Sequence, residues 1–427
     1  MKYLLLLFLI TIGVNWPELP YNARLADVLF IPLAIAVVSR GPQWTWRWPD
    51  TAVFIYLVGA LPAIIVSLDQ RQSAMELVRE CYLAAVYFIV ATAARDGFAR
   101  TVGTGLVLAG TIPAVAGLVY FIALRVTGAP PWQPIGEVMV LPYLGDTLRL
   151  RALAVTPAMF ACVLTAAVPF AITRCGLDRA RAWCAWAVVM LVAAVLTFSH
   201  VVAGLAVAVL IAAWPSIAGW TRRLAIAGAV LLFLVMNFAA TMSITSIAIG
   251  DIGFVDSARY QYAVGQGHTQ IGDVAITYNV MSYARIKQVA WRAFVDHPVA
   301  GIGLDQFHLA TERAYLEGRL TASYREIDPH STLLGRLAES GIIGGITLLL
   351  LWAAWTLMAR DAVRGGDVIA VAAAAALAGL IVSSLNADIM NFRFVWVLAG
   401  TLRGLQGSGI RDQGPGTRDQ RALIPDP

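Results

Sequence analysis

The sequence is short of charge. Acidic and basic side chains make up 13% of the 427 residues, against roughly a quarter in soluble domains, while hydrophobic side chains make up 59%. With a mean hydropathy of +0.72, a water-soluble globular domain is excluded. Cysteine is scarce as well: Cys81, Cys162, Cys175 and Cys184 all fall in or beside apolar segments. None lies in the long polar stretch, so no disulfide-stapled outer domain is expected, and no CxxC pair suggests a metal or redox site. The histidines are limited to His200, His268, His297, His308 and His330. They lack the i,i+3 or i,i+4 spacing of a ligand pair, so neither a metal site nor a cofactor is predicted. The net charge of +5 is modest and reflects loop arginines rather than a nucleic-acid surface.

What the chain does have is apolar runs. Cut at charge clusters and Pro/Gly breaks, with a bilayer span taken as ~20 residues, they fall at about 3–15, 25–39, 51–68, 76–94, 102–124, 153–173, 182–198, 201–214, 223–241, 341–359, 367–386 and 391–404. The start, Met1 to Phe8, has no small-residue cleavage site before Trp16-Pro17-Glu18 and is read as a retained span. The expected fold is an all-α polytopic membrane protein of about twelve transmembrane helices, with one large helical outer loop between spans 9 and 10. The expected organisation is a bundle over 1–241, the loop over 242–340, further spans over 341–404 and a disordered tail over 405–427. Eleven arginines in one set of short loops, Arg174, Arg179 and Arg181 among them, stand against seven on the opposite side. The richer side is cytoplasmic by the positive-inside rule, which puts both termini inside and the long loop outside.

That loop is patterned. Ile286, Val289, Ala290, Ala293 and Phe294 make the apolar face of a helix over about 283–295, and Arg285 and Arg292 share another face. His297-Pro298 and Gly301-Ile302-Gly303 end it. A second helical run covers about 306–317. Further on, Asp328-Pro329-His330-Ser331 leads back into apolar sequence. Asp before Pro reads as a helix start, with Asp328 the cap and Pro329 the first helical residue. His330 then falls in the first turn, where free N–H groups and the helix dipole favour a neutral imidazole and a nearby phosphate. A simple helix entry at the membrane surface would need the same residues.

Taken in order, four stretches resemble the O-antigen ligase/polymerase family of polytopic bacterial glycosyltransferases. They are Arg151-Ala152-Leu153 with Thr156 to Ala161; Leu196-Thr197-Phe198-Ser199-His200; Arg285 through His297-Pro298 to Phe307; and His330-Ser331-Thr332-Leu333-Leu334 through Glu339-Ser340-Gly341-Ile342-Ile343-Gly344. Two positions depart from the family pattern: Ser331 stands where Asn is usual, and His200 where Arg is usual. A neutral histidine lacks arginine's charged fork for phosphate.

The resemblance implies transfer of a glycan from an undecaprenyl-diphosphate-linked donor to a hydroxyl on the periplasmic face of the bacterial inner membrane. The acceptor would be lipid A core, for a ligase, or a second lipid-linked glycan, for a polymerase; a protein acceptor stays open. No metal or cofactor is implied, and the other partners are membrane lipids. His330 would be the base and Arg285 the main diphosphate clamp, with Arg151, Arg292 and His200 as further diphosphate contacts. The competing reading is a secondary transporter, which a many-span chain would also suit.

Overall fold

The computed structural model describes residues 1–15, 24–41, 44–128, 132, 135–141, 145–178, 181–217, 219–249, 252–255, 263–320, 324–325 and 327–406. The predicted disordered tail lies almost wholly outside them. Helices α1 (Lys2–Thr11), α2 (Leu25–Val38), α3 (Trp48–Gly59) and α4 (Leu61–Val66) open the chain. Helix α5 (Gln70–Ala93) runs into α6 (Ala99–Thr127) across a bend at Gly97, φ 90°. A hairpin of β1 (Gly136–Leu141) and β2 (Gly145–Leu150) precedes α7 (Pro157–Asp178), α8 (Arg181–Val195), α9 (Val202–Ala213) and α10 (Gly219–Thr241). Strands β3 (Met242–Ile249), β4 (Ile252–Val255), β5 (Ala263–Ile271) and β6 (Val274–Met281) follow, then α11 (Ser282–Asp296), α12 (Phe307–Leu316), α13 (Thr332–Arg364), α14 (Val368–Ser383) and α15 (Arg393–Leu405).

The expectation of about twelve transmembrane helices is not met. Among the described residues, five helical runs are long and apolar enough to cross a bilayer: Trp48–Val66, Gln70–Thr127, Pro157–Gly176, Gly219–Thr241 and Thr332–Arg364. Lys2–Thr11, Leu25–Val38, Arg181–Val195, Val202–Ser216 and Val368–Ser383 are apolar but only 10–17 residues long. At 1.5 Å per residue they fall short of the ~30 Å hydrocarbon layer. Reading hydropathy along the chain counted the turn residues at their ends as span. The five long runs still define a multi-pass membrane protein.

The all-α expectation also fails. The polar stretch after α10 is a four-stranded antiparallel sheet in the order β4-β3-β6-β5, followed by two helices. Its sequence alternates at period two, with Val274, Ile276, Tyr278 and Val280 on one face of β6. A two-residue turn, Gly272-Asp273 with Gly272 at φ 59°, joins β5 to β6, as tight hairpins require. The helical reading passed over this alternation.

The membrane core is packed around Trp355, Trp396, Tyr56, Tyr87 and Phe160, each at most 1% exposed. Buried ion pairs tie its helices together. Arg403 Nη2 lies 2.8 Å from Asp50 Oδ2, and the same carboxylate accepts the Tyr87 hydroxyl at 2.9 Å. Arg336 pairs with Glu80, and Arg393 Nε reaches Asp27 Oδ1 at 2.7 Å. Cys175 and Cys184 form a disulfide joining α7 to α8, a pairing that cysteine spacing did not suggest.

The break inside α13 sets the geometry of the outer segment. Gly341 sits at φ 62° and ψ −159°, so the carbonyls of Ala338 and Glu339 lose their helical partners. The Pro298–Gly303 loop supplies replacements: the N–H groups of Ile302 and Gly303 donate to those carbonyls at 3.0 Å each. Beyond the break, the Ile342 N–H donates to the Pro298 carbonyl at 2.8 Å. A Cβ on Gly301 or Gly341 would lie 2.2–2.3 Å from backbone atoms of the opposing segment. The two glycine-containing motifs of the sequence therefore meet each other in space.

Candidate active site

The start of α13 is bound to the link between α14 and α15. The Thr332 N–H donates to the Ser384 carbonyl at 3.0 Å, and its hydroxyl donates to the Ala387 carbonyl at 3.0 Å while accepting the Ile389 N–H at 2.9 Å. Just before this anchor lies His330, at φ 48°. The expected helix start at Asp328-Pro329 is thus displaced: Ser331 is the cap residue and the helix begins at Thr332. The reason is local chemistry. Instead of capping the helix, the Asp328 carboxylate folds back on the residue two ahead, a turn that Asp side chains favour. Asp328 Oδ1 accepts the His330 N–H at 2.9 Å and lies 2.6 Å from His330 Nδ1. A left-handed φ at a residue with a Cβ costs on the order of 1–3 kcal/mol, a strain that clusters at working sites.

The paired Nδ1 fixes the ring's tautomer. With Nδ1–H donating to the carboxylate, Nε2 carries a lone pair and can accept a proton. Burial pulls the Asp328 carboxyl up, but the charge of His330 and the hydrogen bonds from its ring and backbone prevail, holding it below the usual carboxylate range.

An aromatic floor lies beneath. Tyr283, in the first turn of α11, stacks on His330 with centroids 4.5 Å apart and planes 20° apart. The same ring meets His200 edge-on at 5.4 Å. His200 sits at the break between α8 and α9. Burial, then the charges of Arg149, Lys287 and His330, push its imidazole down to about 4, so it is neutral at physiological pH.

Two of these cations were missed in the sequence. Lys287 lies one turn beyond Tyr283 on the same face of α11, its Nζ donating to Asn386 Oδ1 at 2.8 Å. Asn386 belongs to the α14–α15 link that anchors Thr332, and its amide in turn donates to Asn237 Oδ1 at 3.0 Å. Burial lowers the Lys287 ammonium to about 8. Arg149, at the end of β2, donates from Nε to the Thr197 carbonyl at 3.0 Å and from Nη1 to Glu137 Oε1 at 3.2 Å. A signal was present for Lys287: it and Lys2 are the only lysines in the chain, and its i,i+4 relation to Tyr283 marks a shared face.

The other residues singled out from sequence lie further around. Arg285 is about 200° from Tyr283 on the helical wheel and faces β5, where a Cβ on Gly265 would sit 3.5 Å from its Nη2. Its Nη1 donates to Gln288 Oε1 at 3.1 Å, while its buried Nε has no partner. Arg292, seven residues on, shares that stripe and is exposed. Arg151 turns its Nε back to the Ala154 carbonyl at 3.0 Å. The structure thus joins His330 and His200 through Tyr283, with the charges of Arg149 and Lys287 felt at His200, while Arg285 and Arg292 occupy a neighbouring face of α11. Among the described residues, no group of three or more His, Cys, Asp or Glu side chains could hold a metal ion.

Such a site, a carboxylate-oriented imidazole amid cations beside apolar helices, suits proton abstraction next to an anionic group in a multi-pass membrane protein. Residues 185–349 match the family model described as O-Antigen ligase. An O-antigen ligase domain is therefore present over that stretch, which holds His200, Tyr283, Lys287, Asp328 and His330 and leaves Arg149 and Arg151 outside. The match supports enzymatic glycan transfer in general. No curated protein matches the chain.

Proposed function

We propose that the protein moves a glycan from undecaprenyl diphosphate to a hydroxyl acceptor on the periplasmic face of the bacterial inner membrane, as an O-antigen ligase or polymerase. The observation that carries this reading is the Asp328–His330 pair at 2.6 Å inside the matched domain, with the charges of Lys287 and Arg149 felt at His200, across the Tyr283 ring from it. In this reading the His330 end of the bundle is periplasmic and both termini are cytoplasmic.

The acceptor oxygen attacks the anomeric carbon while His330 Nε2 takes its proton, and Asp328 stabilises the imidazolium that forms. The bond from the anomeric carbon to the diphosphate oxygen breaks, the diphosphate leaves with the electron pair, and the anomeric configuration inverts. Lys287 lies on the same face of α11 as Tyr283, whose ring stacks on the base. Arg285, with its unpartnered Nε, and Arg292 and Arg151 supply further charge to the leaving group. Charge matching of this kind needs no metal. His200, being neutral, supports Tyr283 rather than binding phosphate.

The test is a transfer assay in nanodiscs with a lipid-linked glycan donor, offering lipid A core and a second lipid-linked repeat as separate acceptors. Chelator-resistant transfer by wild type, lost in His330→Ala and strongly reduced in Lys287→Ala and Arg285→Ala, is the expected result. No transfer to either acceptor, or variants indistinguishable from wild type, overturns the reading.

A further inference from the structure

A polar side chain in a membrane helix needs a protein partner, because lipid offers none. Between Arg223 and Thr241, α10 carries a single one, Asn237, in a run that is otherwise apolar. Its amide nitrogen donates to the Phe233 carbonyl at 2.8 Å, and its oxygen accepts from Asn386 Nδ2 at 3.0 Å. Asn386, 4% exposed, turns its own oxygen to Lys287 Nζ at 2.8 Å.

These contacts read in one direction only. An ammonium donates and cannot accept, so Asn386 must offer Lys287 its oxygen. Its amide nitrogen then faces Asn237, which must answer with an oxygen and keep its own nitrogen for the Phe233 carbonyl. Turning over either amide sets N–H against N–H at one end and oxygen against oxygen at the other.

The chain of bonds ends on a cation with N–H groups to spare. An ammonium has three, and Asn386 takes one of them. Burial lowers Lys287 to about 8, and no carboxylate among the described residues pulls the other way. Two asparagines would suffice to fasten α10 to the α14–α15 link. Adding a desolvated charge with no counter-ion costs stability, so fastening alone does not account for the lysine. Asn386 also sits in the link whose Ser384 and Ala387 carbonyls hold Thr332, two residues past His330. One short segment therefore bonds both the lysine and the turn that bears the base.

We infer that Asn386 and Asn237 are positioning residues, which hold the Lys287 ammonium in one place for the diphosphate of the lipid-linked substrate. The inference rests on the glycan-transfer reading and adds to it two residues that act through Lys287. A lysine left alone spreads its charge over many rotamers. Here a charge-assisted bond to Asn386 fixes the nitrogen, and Asn237 keeps the Asn386 amide from turning.

The experiment uses the full chain in nanodiscs and two probes, undecaprenyl diphosphate and the uncharged undecaprenol. Dissociation constants are measured for wild type, Lys287→Ala, Asn386→Leu, Asn237→Leu and each asparagine variant combined with Lys287→Ala. Each single substitution should weaken undecaprenyl diphosphate about tenfold and leave undecaprenol unchanged. The combined variants should bind no more weakly than Lys287→Ala alone, because residues in one network are not additive. Equal weakening of both lipids, losses that multiply in the combined variants, or unchanged diphosphate binding in the asparagine variants would each overturn the inference. Asn237→Leu, on α10 and outside the link, decides the matter if Asn386→Leu folds poorly. Glycan transfer by variants whose diphosphate binding is unchanged overturns the positioning role and leaves the enzyme reading standing. Asparagine-dependent diphosphate binding in a protein that transfers glycan to neither acceptor overturns the enzyme reading instead.

Discussion

Tyr283 lies flat against His330, ring centroids 4.5 Å apart, while presenting its edge to His200 at 5.4 Å. One side chain from the outer helix α11 thus fixes two histidines from separate parts of the membrane bundle. Asp328 holds the other flank of His330, so the imidazole has both its plane and its tautomer set.

The first prediction follows from that arrangement. Replacing His330 with alanine should lower transfer by about 10²–10⁴-fold, the usual worth of a general base. Asp328→Asn should lower kcat by about ten- to a hundredfold with little change in donor KM, because it disturbs the ring's orientation and not the diphosphate contacts. Steady-state kinetics with each substrate varied separate the two outcomes.

Lys287 gives a pH signature. Its ammonium, lowered to about 8, is charged below that value and neutral above it. Donor KM should therefore rise as pH passes about 8 in wild type. In Lys287→Arg, where the charge persists, the rise should vanish. Donor titrations at pH 7 and pH 9 in both proteins check this.

His200 links stability to acid. Its folded-state value of about 4 lies below the ordinary histidine value of ~6.5. Between those limits the unfolded chain binds more protons at this position, so stability falls as pH drops from 6.5 to 4. A His200→Phe variant should lose less thermal stability over that window than wild type, as measured by melting in detergent at pH 7 and pH 4.5.

The fourth prediction concerns Gly341. Alanine there must adopt a positive φ and place a Cβ 2.3 Å from the Val299 backbone, an arrangement that forces the two segments apart. Gly341→Ala should cost about 3 kcal/mol or more and reduce transfer, whereas alanine at Gly366, also at positive φ but with open space around it, should cost much less. Thermal melts of the two variants decide it.

Much of the site was legible in the sequence because its parts are short-range. His330, the amphipathic face of α11 with Ile286, Val289, Ala290 and Ala293 buried, and the two glycine motifs could each be picked out of a few consecutive residues. What could not be read was which groups meet. Asp328 looked like a cap because Asp-Pro usually is one, and only the fold shows its carboxylate turned to the imidazole. Tyr283 and Lys287 were visible on a helix whose arginines drew the attention, yet α11 turns the tyrosine and lysine toward the histidines and Arg285 toward β5. Bilayer crossings were overcounted because hydropathy does not mark where a helix ends. The sheet was missed because its alternation is short and lies among polar residues.

The corner at Gly341 has a mechanical consequence. A bare glycine break would work as a hinge and let the membrane arm of α13 swing beneath His330. Here the Pro298–Gly303 segment is bonded to both arms, to Ala338 and Glu339 on one side and through Ile342 on the other, and so acts as a gusset. Tilt of the lower arm is carried into the turn bearing His330 instead of being dissipated at the joint. The position of the imidazole is therefore tied to the tilt of the arm from Ile342 to Arg364.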